Sequence, residues 1–366
     1  MSIIKRIIVG GAGGTPSLNF IRSLRMTSER FFLIGITCNK YDLYKAKKYV
    51  DCAFLVPPAK EREYLPVLKD IISETRPDFM HAQNDQEVNV ISRHRDELGI
   101  KVFLPRHEIV EICQDKFESA KLWKKAGLVV PKTFMIKNEK DLEKAFAEIR
   151  GKLWIRAVSG AAGKWSLPTD NFDLAKLWIE HHKGWGEFTA AECLGSESVT
   201  WLSVWKNGEL VVAQGRKRLY WEFADRSVSG ITGITGTGVT VSDREIDSLA
   251  TKAIKAIDPA PHGIFGVDFT YDKNGVANPT EINIGRFFTT TQFFSEAGLN
   301  MPHIYVKLAF DEVPNLKTKL NPLKQGLAWI RGMDVEPILT SLDEIEKLES
   351  DLKTRIEKIN RRRRNA

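Results

Sequence analysis

The chain has 366 residues, of which 43% are hydrophobic and 28% are charged. This composition is that of an ordinary folded protein, which excludes a fibrous or largely disordered chain, and the length allows two or three domains. The formal net charge of +7 favours acidic partners such as nucleotides, phosphates or nucleic acid. Part of this charge lies in the final "RRRRNA", so the excess need not describe the folded body.

The cysteine pattern and the N-terminus predict a protein of a reducing compartment. The four cysteines are scattered without CxxC or Cys/His metal spacing, which is typical of free thiols (Cys38, Cys52, Cys113 and Cys193). The N-terminal "MSIIKRIIVGGAGG" is too short and too rich in glycine to span a bilayer, and no small-residue cleavage site follows it. We therefore expect a soluble cytoplasmic protein without a membrane partner.

Strands and helices alternate over the first hundred residues. Strands are predicted in "RIIVGG", "FFLIGITC", "DFMHAQ" and "IKVFLP", and helical spacing lies between them. This order is typical of a doubly wound parallel sheet. Glycines follow the first strand, but Pro16 replaces the third glycine of the dinucleotide fingerprint and no acid ends the second strand. A Rossmann-like domain without a dinucleotide is therefore favoured over an NAD-dependent dehydrogenase.

The later segments predict helices, glycine loops and two hairpins. Helices are predicted in "DKFESAKLWKKAG", "KDLEKAFAEIRG" and "SDREIDSLATKAIKAI", and a strand followed by a glycine loop in "KLWIRAVSGAAGKWS". The hairpins have "KNG" and "DKNG" at their turns. A charged amphipathic helix with a basic end is predicted in "SLDEIEKLESDLKTRIEKINRRRR".

The second hairpin places acids among apolar residues. Glu281 and Asn283 share one face of their strand, and Asp268 on the partner strand can face the same pocket. Such side chains are costly to bury, and three oxygen-bearing groups on adjacent strands suit Mg²⁺. From the hairpin alone, a solvated polar face is an equally good interpretation.

Three further segments carry candidate binding groups. Arg156 and the glycine loop after it (Ser159, Gly160 and Gly163) suit a phosphate clamp, with a mobile hairpin tip as the alternative. In "AECLGSES", Glu192 and Glu197 flank a connector that suits a nucleoside, although an acidic loop is the simpler interpretation. Lys116 alone would be a solvated residue of a first helical turn.

A fourth segment, "QGRKRLYWEFADRSVSGITGITGTGV", suits an acceptor site. Arg216 and Arg218 can hold a carboxylate or a phosphate, and the Ser229–Gly238 stretch predicts a loop that closes over substrate. The alternative for this stretch is a flexible hairpin loop.

Taken in order, these motifs resemble the ATP-grasp superfamily, and most closely the ATP-grasp half-modules of the carbamoyl-phosphate synthase large chain. The likeness runs from about Lys5 to Leu308. It implies an α/β and α+β chain in which a Rossmann-like pre-ATP-grasp domain precedes a two-lobed ATP-grasp fold. The implied divisions are 1–104 for the first domain, 105–190 for the small lobe and linker helix, 191–330 for the large lobe, and 331–366 for a C-terminal helical segment with a basic tail.

The resemblance also implies roles for single residues. Lys116, Arg156 and the loop residues Ser159, Gly160 and Gly163 would contact the ATP phosphates, Glu192 and Leu194 the adenine, and Glu197 the ribose. Asp268, Glu281 and Asn283 would bind Mg²⁺ or Mn²⁺, Arg216 and Arg218 the substrate, and Arg286 the transferred phosphate, with Arg156 and Arg286 as catalytic residues. The family pattern is Glu-x-Asn-x-Arg, whereas here Ile284 and Gly285 both separate Asn283 from Arg286, so the extra residue displaces the arginine by up to one strand step, about 3.3 Å.

The implied activity is that of an ATP-dependent carboxylate–amine ligase, in which the carboxylate is activated as an acyl phosphate. A small-molecule kinase of the same fold and a nucleic-acid-binding protein that uses the basic tail are the alternatives. The expected partners are a small carboxylate and an amine, with a homodimer compatible and nucleic acid disfavoured.

Overall fold

The first hundred residues form a parallel sheet flanked by helices. The structure, a computed structural model, describes residues 4–160, 163, 165–332 and 338–343. The five strands lie in the order β3-β2-β1-β4-β5, and all their pairs are parallel. The strands are β1 (Lys5–Val9), β2 (Phe31–Thr37), β3 (Cys52–Leu55), β4 (Phe79–His81) and β5 (Lys101–Val102); the helices are α1 (Thr15–Arg25), α2 (Lys40–Lys47), α3 (Tyr64–Thr75) and α4 (Asp85–Arg93). The predicted doubly wound sheet is confirmed, and β3 and α2 are additions that the sequence pattern did not indicate.

The glycine turn after β1 is filled by a carboxylate of the protein itself. Gly11 N–H donates to Glu87 Oε1 at 3.2 Å, and Gln83 N–H donates to Glu87 Oε2 at 3.4 Å. A Cβ on Gly10 would lie 2.2 Å from Glu87 Oε2, so a larger residue there would displace the Glu87 carboxylate. Burial raises the pKa of Glu87 to about 7, although the backbone hydrogen bonds favour the charged form. An internal acid thus occupies the place where a dinucleotide-binding turn would receive a phosphate.

Two helices connect this domain to the rest of the chain and pack on its core. They are α5 (His107–Gln114) and α6 (Lys116–Lys125). Asp115 caps α6 by accepting from Phe117 N and Glu118 N, which fixes Lys116 as the first residue of the helix. Trp123 is 1% exposed and donates its Nε1–H to the carbonyl of Ala253 at 3.0 Å.

The small lobe is an antiparallel sheet covered by two helices. Its four strands lie in the order β6-β9-β7-β8. They are β6 (Thr133–Ile136), β7 (Leu153–Ala157), β8 (Leu167–Thr169) and β9 (Phe188–Glu192), and the helices are α7 (Glu139–Glu148) and α8 (Phe172–His181). The strand pattern buries Leu153 and Ile155 on one face, so Arg156 points to the other.

The large lobe is built on a seven-stranded antiparallel sheet of order β14-β13-β10-β11-β12-β15-β16. The strands are β10 (Ser198–Lys206), β11 (Glu209–Trp221), β12 (Thr235–Val241), β13 (Gly263–Tyr271), β14 (Ala277–Ile284), β15 (Leu327–Ile330) and β16 (Ile338–Ser341); the helices are α9 (Arg244–Lys255), α10 (Thr291–Glu296) and α11 (Met301–Ala309). Both predicted hairpins are present. Asn207 and Gly208 have φ values of 51° and 87°, as a two-residue turn between twisted strands requires.

Two predictions about this lobe need correction. Residues 235–238 were predicted as part of a loop that closes over substrate, but they belong to β12 and pair with β11. Their Thr and Gly residues alternate, so the glycines lie on one face of the strand, where there is little room for side chains. The sheet also continues past residue 330, since β16 pairs with β15. Ser341, the first residue of the predicted C-terminal helix, ends β16. The rest of that predicted helix beyond residue 343, with its basic tail, lies outside the described residues.

The apolar core divides the molecule into two bodies. Side chains of the first domain, α5, α6 and the large lobe share two continuous clusters, whereas the small lobe has a separate one around Leu153, Ile155 and Phe188. The first domain and the large lobe therefore form one base, and the small lobe sits on it as a distinct unit. No helix within the described ranges has the length and apolar character that crossing a membrane requires.

We expect Glu87 to make the stability of the first domain depend on pH. Between the ordinary pKa of 4.5 and about 7 the folded state retains a proton that the unfolded chain has lost, so stability falls as pH rises through this window. Glu87→Gln should flatten this fall by up to about 3 kcal/mol. Urea unfolding at pH 5, 6, 7 and 8 measures the effect, with Glu74→Gln on the exposed face of α3 as the control. Parallel profiles for Glu87→Gln and the wild type would contradict this account.

Candidate active site

A cavity of about 740 Å³ lies between the small lobe and the base, and most of the predicted site residues line it. The predicted residues in its wall are Arg156, Gly163, Glu192, Leu194, Arg216, Arg218, Asp268, Glu281, Asn283 and Arg286. Four predicted residues are absent from this lining: Lys116, Ser159, Gly160 and Glu197. The first domain adds Gln83, Asn84 and Asp85 from the start of α4.

The acids of the hairpin come together as the strand register predicts. Asp268 is paired with Glu281 across β13 and β14, and the pairing stays regular as far as Asn283, so Asn283 lies on the same face as Glu281. Asn283 Nδ2 donates to Asp268 Oδ2 at 2.9 Å. Two carboxylates and an amide form a donor set that suits a hard cation such as Mg²⁺ or Mn²⁺. No cluster of three His, Cys, Asp or Glu side chains occurs in the described part of the chain, so the amide is needed to complete the set.

Two cations face Glu281 from different parts of the molecule. Arg156 reaches from β7 across the cavity and donates to the carbonyl of Thr280 at 3.2 Å, and its Nε is buried without a partner. Lys116 is 8% exposed, with Nζ 2.6 Å from the carbonyl oxygen of Gly160 and 3.8 Å from Glu281 Oε1. Burial lowers the pKa of both groups, and the charge of Glu281 opposes that shift. The interpretation of Lys116 as a solvated surface residue is therefore wrong.

The glycine loop meets the loop that follows β11. Gly160 and Gly163 have φ values of 116° and 64°, which favour glycine. A Cβ on Gly163 would lie 2.8 Å from the carbonyl oxygen of Ile231, so the two loops touch over the cavity. Ile231 lies in the segment 229–234, the part of the predicted Ser229–Gly238 loop that remains outside β12. Residues 161, 162 and 164 of the glycine loop lie outside the described residues.

The connector between β9 and β10 forms one end of the cavity. Glu192 Oε2 accepts from Lys132 N–H at 2.9 Å, and Gly195 N–H donates to the carbonyl of Tyr271 at 2.8 Å. These bonds tie the connector to β6 on one side and to the end of β13 on the other. Glu197 instead pairs with Lys217 Nζ at 2.5 Å, so its placement gives the predicted ribose contact no support.

Arg286 is held by an acid that the sequence did not single out. Its Nε lies 2.5 Å from Asp85 Oδ1. Burial alone would raise the pKa of Asp85, but the charge and hydrogen bond of Arg286 hold it below the ordinary value. The additional residue before Arg286 is Gly285, with φ of 69°, and a Cβ there would lie 2.8 Å from Val88. The glycine therefore accommodates the longer spacing and directs Arg286 towards α4.

Arg216 and Arg218 project from one face of β11 and are held by hydroxyl groups. Arg216 donates to Thr235, Thr290 and Thr200 at 2.8–3.0 Å, and Arg218 donates to Ser198 and Thr235 at 2.9 and 3.2 Å. Burial lowers the pKa of Arg216 to about 9 and that of Arg218 to about 10. Small hydroxyl residues at alternate positions of "SVTWL" were the available sequence signal for this shell.

Several solved structures share this architecture. The biotin carboxylase domain dimer of the Hydrogenobacter thermophilus 2-oxoglutarate carboxylase, in complex with MgADP, ADP and bicarbonate, has a TM-score of 0.69 and 17% identity, covering 90% of this chain and 74% of that one. N5-carboxyaminoimidazole synthetase from Staphylococcus aureus has a TM-score of 0.65 and 12% identity, with 90% and 83% covered. L-amino acid ligase from Bacillus licheniformis has a TM-score of 0.65 and 12% identity, with 90% and 79% covered.

No protein-family model matches the chain, and no curated protein matches it by sequence. The structural likeness spans nine tenths of the chain and includes the first domain as well as both lobes. The predicted ATP-grasp fold is thereby confirmed. The closer likeness to the carbamoyl-phosphate synthase modules and the roles of single residues stay predictions.

We expect Asp85→Asn to destabilise the protein by about 1–3 kcal/mol, because it leaves the Arg286 guanidinium buried without its charged partner. Since the pKa of Asp85 is lowered, its contribution is complete above the ordinary value of 3.8 and is lost as pH falls through the folded-state pKa. Urea unfolding at pH 7 measures the loss. Glu97→Gln is the control, because it breaks the exposed pair with Lys69 and should leave the unfolding midpoint nearly unchanged. Equal effects of the two substitutions would contradict the assignment.

Proposed function

We propose that the protein is an ATP-dependent carboxylate–amine ligase, which activates a carboxylate as an acyl phosphate and joins it to an amine. The observation that carries this proposal is the meeting of Arg156, from the small lobe, with Asp268 and Glu281, from the large lobe, in one cavity. Cations and paired acids on opposite walls suit a metal-bound polyphosphate, since each neutralises a different part of its charge.

The donor sets at the two ends of the cavity support the remaining roles in this proposal. Asp268, Glu281 and Asn283 would hold Mg²⁺ or Mn²⁺, and the Glu192–Leu194 connector would hold the adenine. When bound, Mg²⁺ supplies positive charge and fixes the orientation of the phosphates. The unpartnered Nε of Arg156 is a donor in need of an acceptor, and a phosphate oxygen supplies one.

The reaction needs positioning and charge more than a side-chain nucleophile. A carboxylate oxygen of the substrate attacks the terminal phosphorus of ATP as ADP leaves, and the amine nitrogen then attacks the acyl carbon as phosphate leaves. Arg156 and Lys116 would stabilise the phosphoryl group during the first step, and Arg286, held in place by Asp85, would contact it from the base. The loops at Gly163 and Ile231 would exclude water from the reactive group.

The structural neighbours support the same class. They include a biotin carboxylase domain with MgADP and bicarbonate and an L-amino acid ligase, both similar to this chain in fold. Two further parts of the proposal concern assembly and location. Assembly as a homodimer follows the dimeric Hydrogenobacter domain, and a cytoplasmic location follows the four free cysteines.

The alternatives differ from this proposal in one measurable property each. A kinase of the same fold would transfer the terminal phosphoryl group of ATP to an acceptor and release ADP without an amine. A nucleic-acid binder would use the basic tail, which lies outside the described residues. A dehydrogenase is disfavoured further by Glu87, which fills the glycine turn that a dinucleotide would need.

We expect ADP release to depend on a carboxylate and an amine together. A screen of carboxylates paired with amino acids and amines, with ADP detected by a coupled assay, identifies the active pair. Glu281→Gln should lower the rate at least 100-fold, because it removes one of the two carboxylates of the metal set. Glu143→Gln on the exposed face of α7 is the matched control and should keep the wild-type rate. Normal turnover by Glu281→Gln would show that the metal assignment is wrong.

We also expect Lys116→Met and Arg156→Met each to weaken MgATP binding at least tenfold, because each removes a buried cation from the phosphate end of the cavity. Isothermal titration with MgATP measures this without any requirement for turnover. Lys121→Met changes an exposed lysine of the same helix as Lys116 and should bind MgATP as the wild type does. Unchanged affinity in both site variants would place the nucleotide elsewhere.

A further inference from the structure

The two arginines of β11 form a concentrated positive site. Neither guanidinium makes an ion pair with an acid of the described chain, and the charges of Asp268 and Glu281 act on them only from a longer distance. Both guanidinium groups donate to the same hydroxyl, Thr235 Oγ1, at 3.0 and 3.2 Å. Among the residues that the structure describes, all their hydrogen-bond partners are hydroxyl groups, which carry no charge. Arg216 is 2% exposed, and its Nε is buried without a partner. Buried like charges at this spacing are costly unless an anion meets them.

The surrounding residues hold these arginines in place before any ligand binds. Arg216 lies over the ring of Phe288 at 4.8 Å, and Arg218 lies over the ring of Trp221 at 3.4 Å. A Cβ on Gly238 would approach Arg216 Cδ to 3.0 Å, so a glycine in β12 leaves the room that the arginine occupies. Aromatic faces and hydroxyls that fix two cations at the wall of a cavity are features of a built anion site.

The charges of the whole cavity indicate how much negative charge the substrate brings. In its described residues, the wall holds four cations and four acids: Arg156, Arg216, Arg218 and Arg286, and Asp85, Glu192, Asp268 and Glu281. Asp85 pairs with Arg286, Glu192 lies at the adenine end, and Asp268 and Glu281 belong to the predicted metal set. Within this wall, Arg216 and Arg218 are thus left without an acid of their own, which suits a substrate with two negative charges.

The positions of the two arginines separate the roles of these charges. Arg216 donates to Thr200 Oγ1, and that hydroxyl donates to Asp268 Oδ1 at 2.5 Å, so Arg216 is one hydroxyl away from the predicted metal set. Arg218 lies two residues further along β11, so its backbone is roughly 6–7 Å from that of Arg216, and its side chain lies beside Trp221. Arg216 is therefore suited to the reacting carboxylate, and Arg218 to a second anionic group of the same molecule.

We propose that the acid substrate is a short dianion, in which the reacting carboxylate binds at Arg216 and a second carboxylate or a phosphate group binds at Arg218. This inference rests on the proposed ligase function, because that function defines which group reacts. It goes beyond that function by excluding simple monocarboxylates as the preferred substrates.

Titration calorimetry with chemically defined acids tests the proposal without turnover. The full-length protein, saturated with a non-hydrolysable ATP analogue and Mg²⁺, is titrated with succinate and glutarate, with 3-phosphonopropionate, and with butyrate and valerate as monoanions of matched length. At least one class of dianion should bind tenfold or more tightly than the monoanions, and the comparison of dicarboxylate with phosphonate identifies the second group. Equal binding of dianions and monoanions, or no binding of any dianion, would overturn the proposal.

Variants of β11 assign the preference to Arg218. Arg218→Gln should remove the preference for dianions, and Arg218→Lys, which keeps the charge, should restore part of it. Lys217→Gln is the matched control, because Lys217 is the adjacent residue and its side chain pairs with Glu197 outside the cavity wall. A preference that survives in Arg218→Gln would also overturn the assignment. If the analogue binds and ADP is released without any dianion preference, the inference fails while the ligase function stands. If dianions bind more tightly than monoanions but no amine supports ADP release, the dianion site stands and the ligase function fails.

Discussion

The arrangement of the site depends on the interaction of the Glu281 carboxylate with two buried cations. This carboxylate draws Lys116, from the first turn of α6, and Arg156, from β7 of the small lobe, towards the same hairpin. The charge of Arg156 lowers the pKa of Lys116, so without the acid the burial of both cations would be strongly unfavourable. Glu281 therefore sets both the local charge balance and the approach of the small lobe to the base.

The apolar core is divided in the same way as the lobes. The first domain and the large lobe share their buried clusters, while the small lobe keeps its own. Contacts across the cavity are then mostly polar: a guanidinium on a carbonyl, an ammonium on the carbonyl of Gly160, and a glycine against the backbone of Ile231. Polar contacts of this kind can be exchanged for ligand contacts at small net cost, whereas a shared apolar core cannot be. The fold thus places its rigid packing beneath the cavity and its exchangeable contacts around it.

The parts of this structure that the sequence predicted are those with strong local periodicity. The strands β1, β2 and β13, the helix α9 and the two hairpin turns follow from alternating or helical apolar patterns and from Asn-Gly turns. β3 escaped prediction because its four residues are half-exposed and carry no alternation, and β16 because it is short and follows a polar stretch. For the site, the order of the motifs predicted that residues far apart in the chain, such as Arg156 and Glu281, belong to one site. Asp85, Thr200 and Thr235 were missed because their importance comes only from the neighbours that the fold gives them.

The start of α4 shows how a domain with a nucleotide-binding shape serves a different purpose here. Glu87 fills the glycine turn from within, so the first domain keeps its parallel sheet but closes the pocket at its strand ends. Two residues earlier on the same helix, Asp85 faces the other way and holds Arg286 at the wall of the large cavity. One helical turn thereby seals an unused site and supports a residue of the candidate active site. Because the two acids share a helix start, the position of this part of α4 fixes both the packing of Glu87 against Gly10 and the pairing of Asp85 with Arg286.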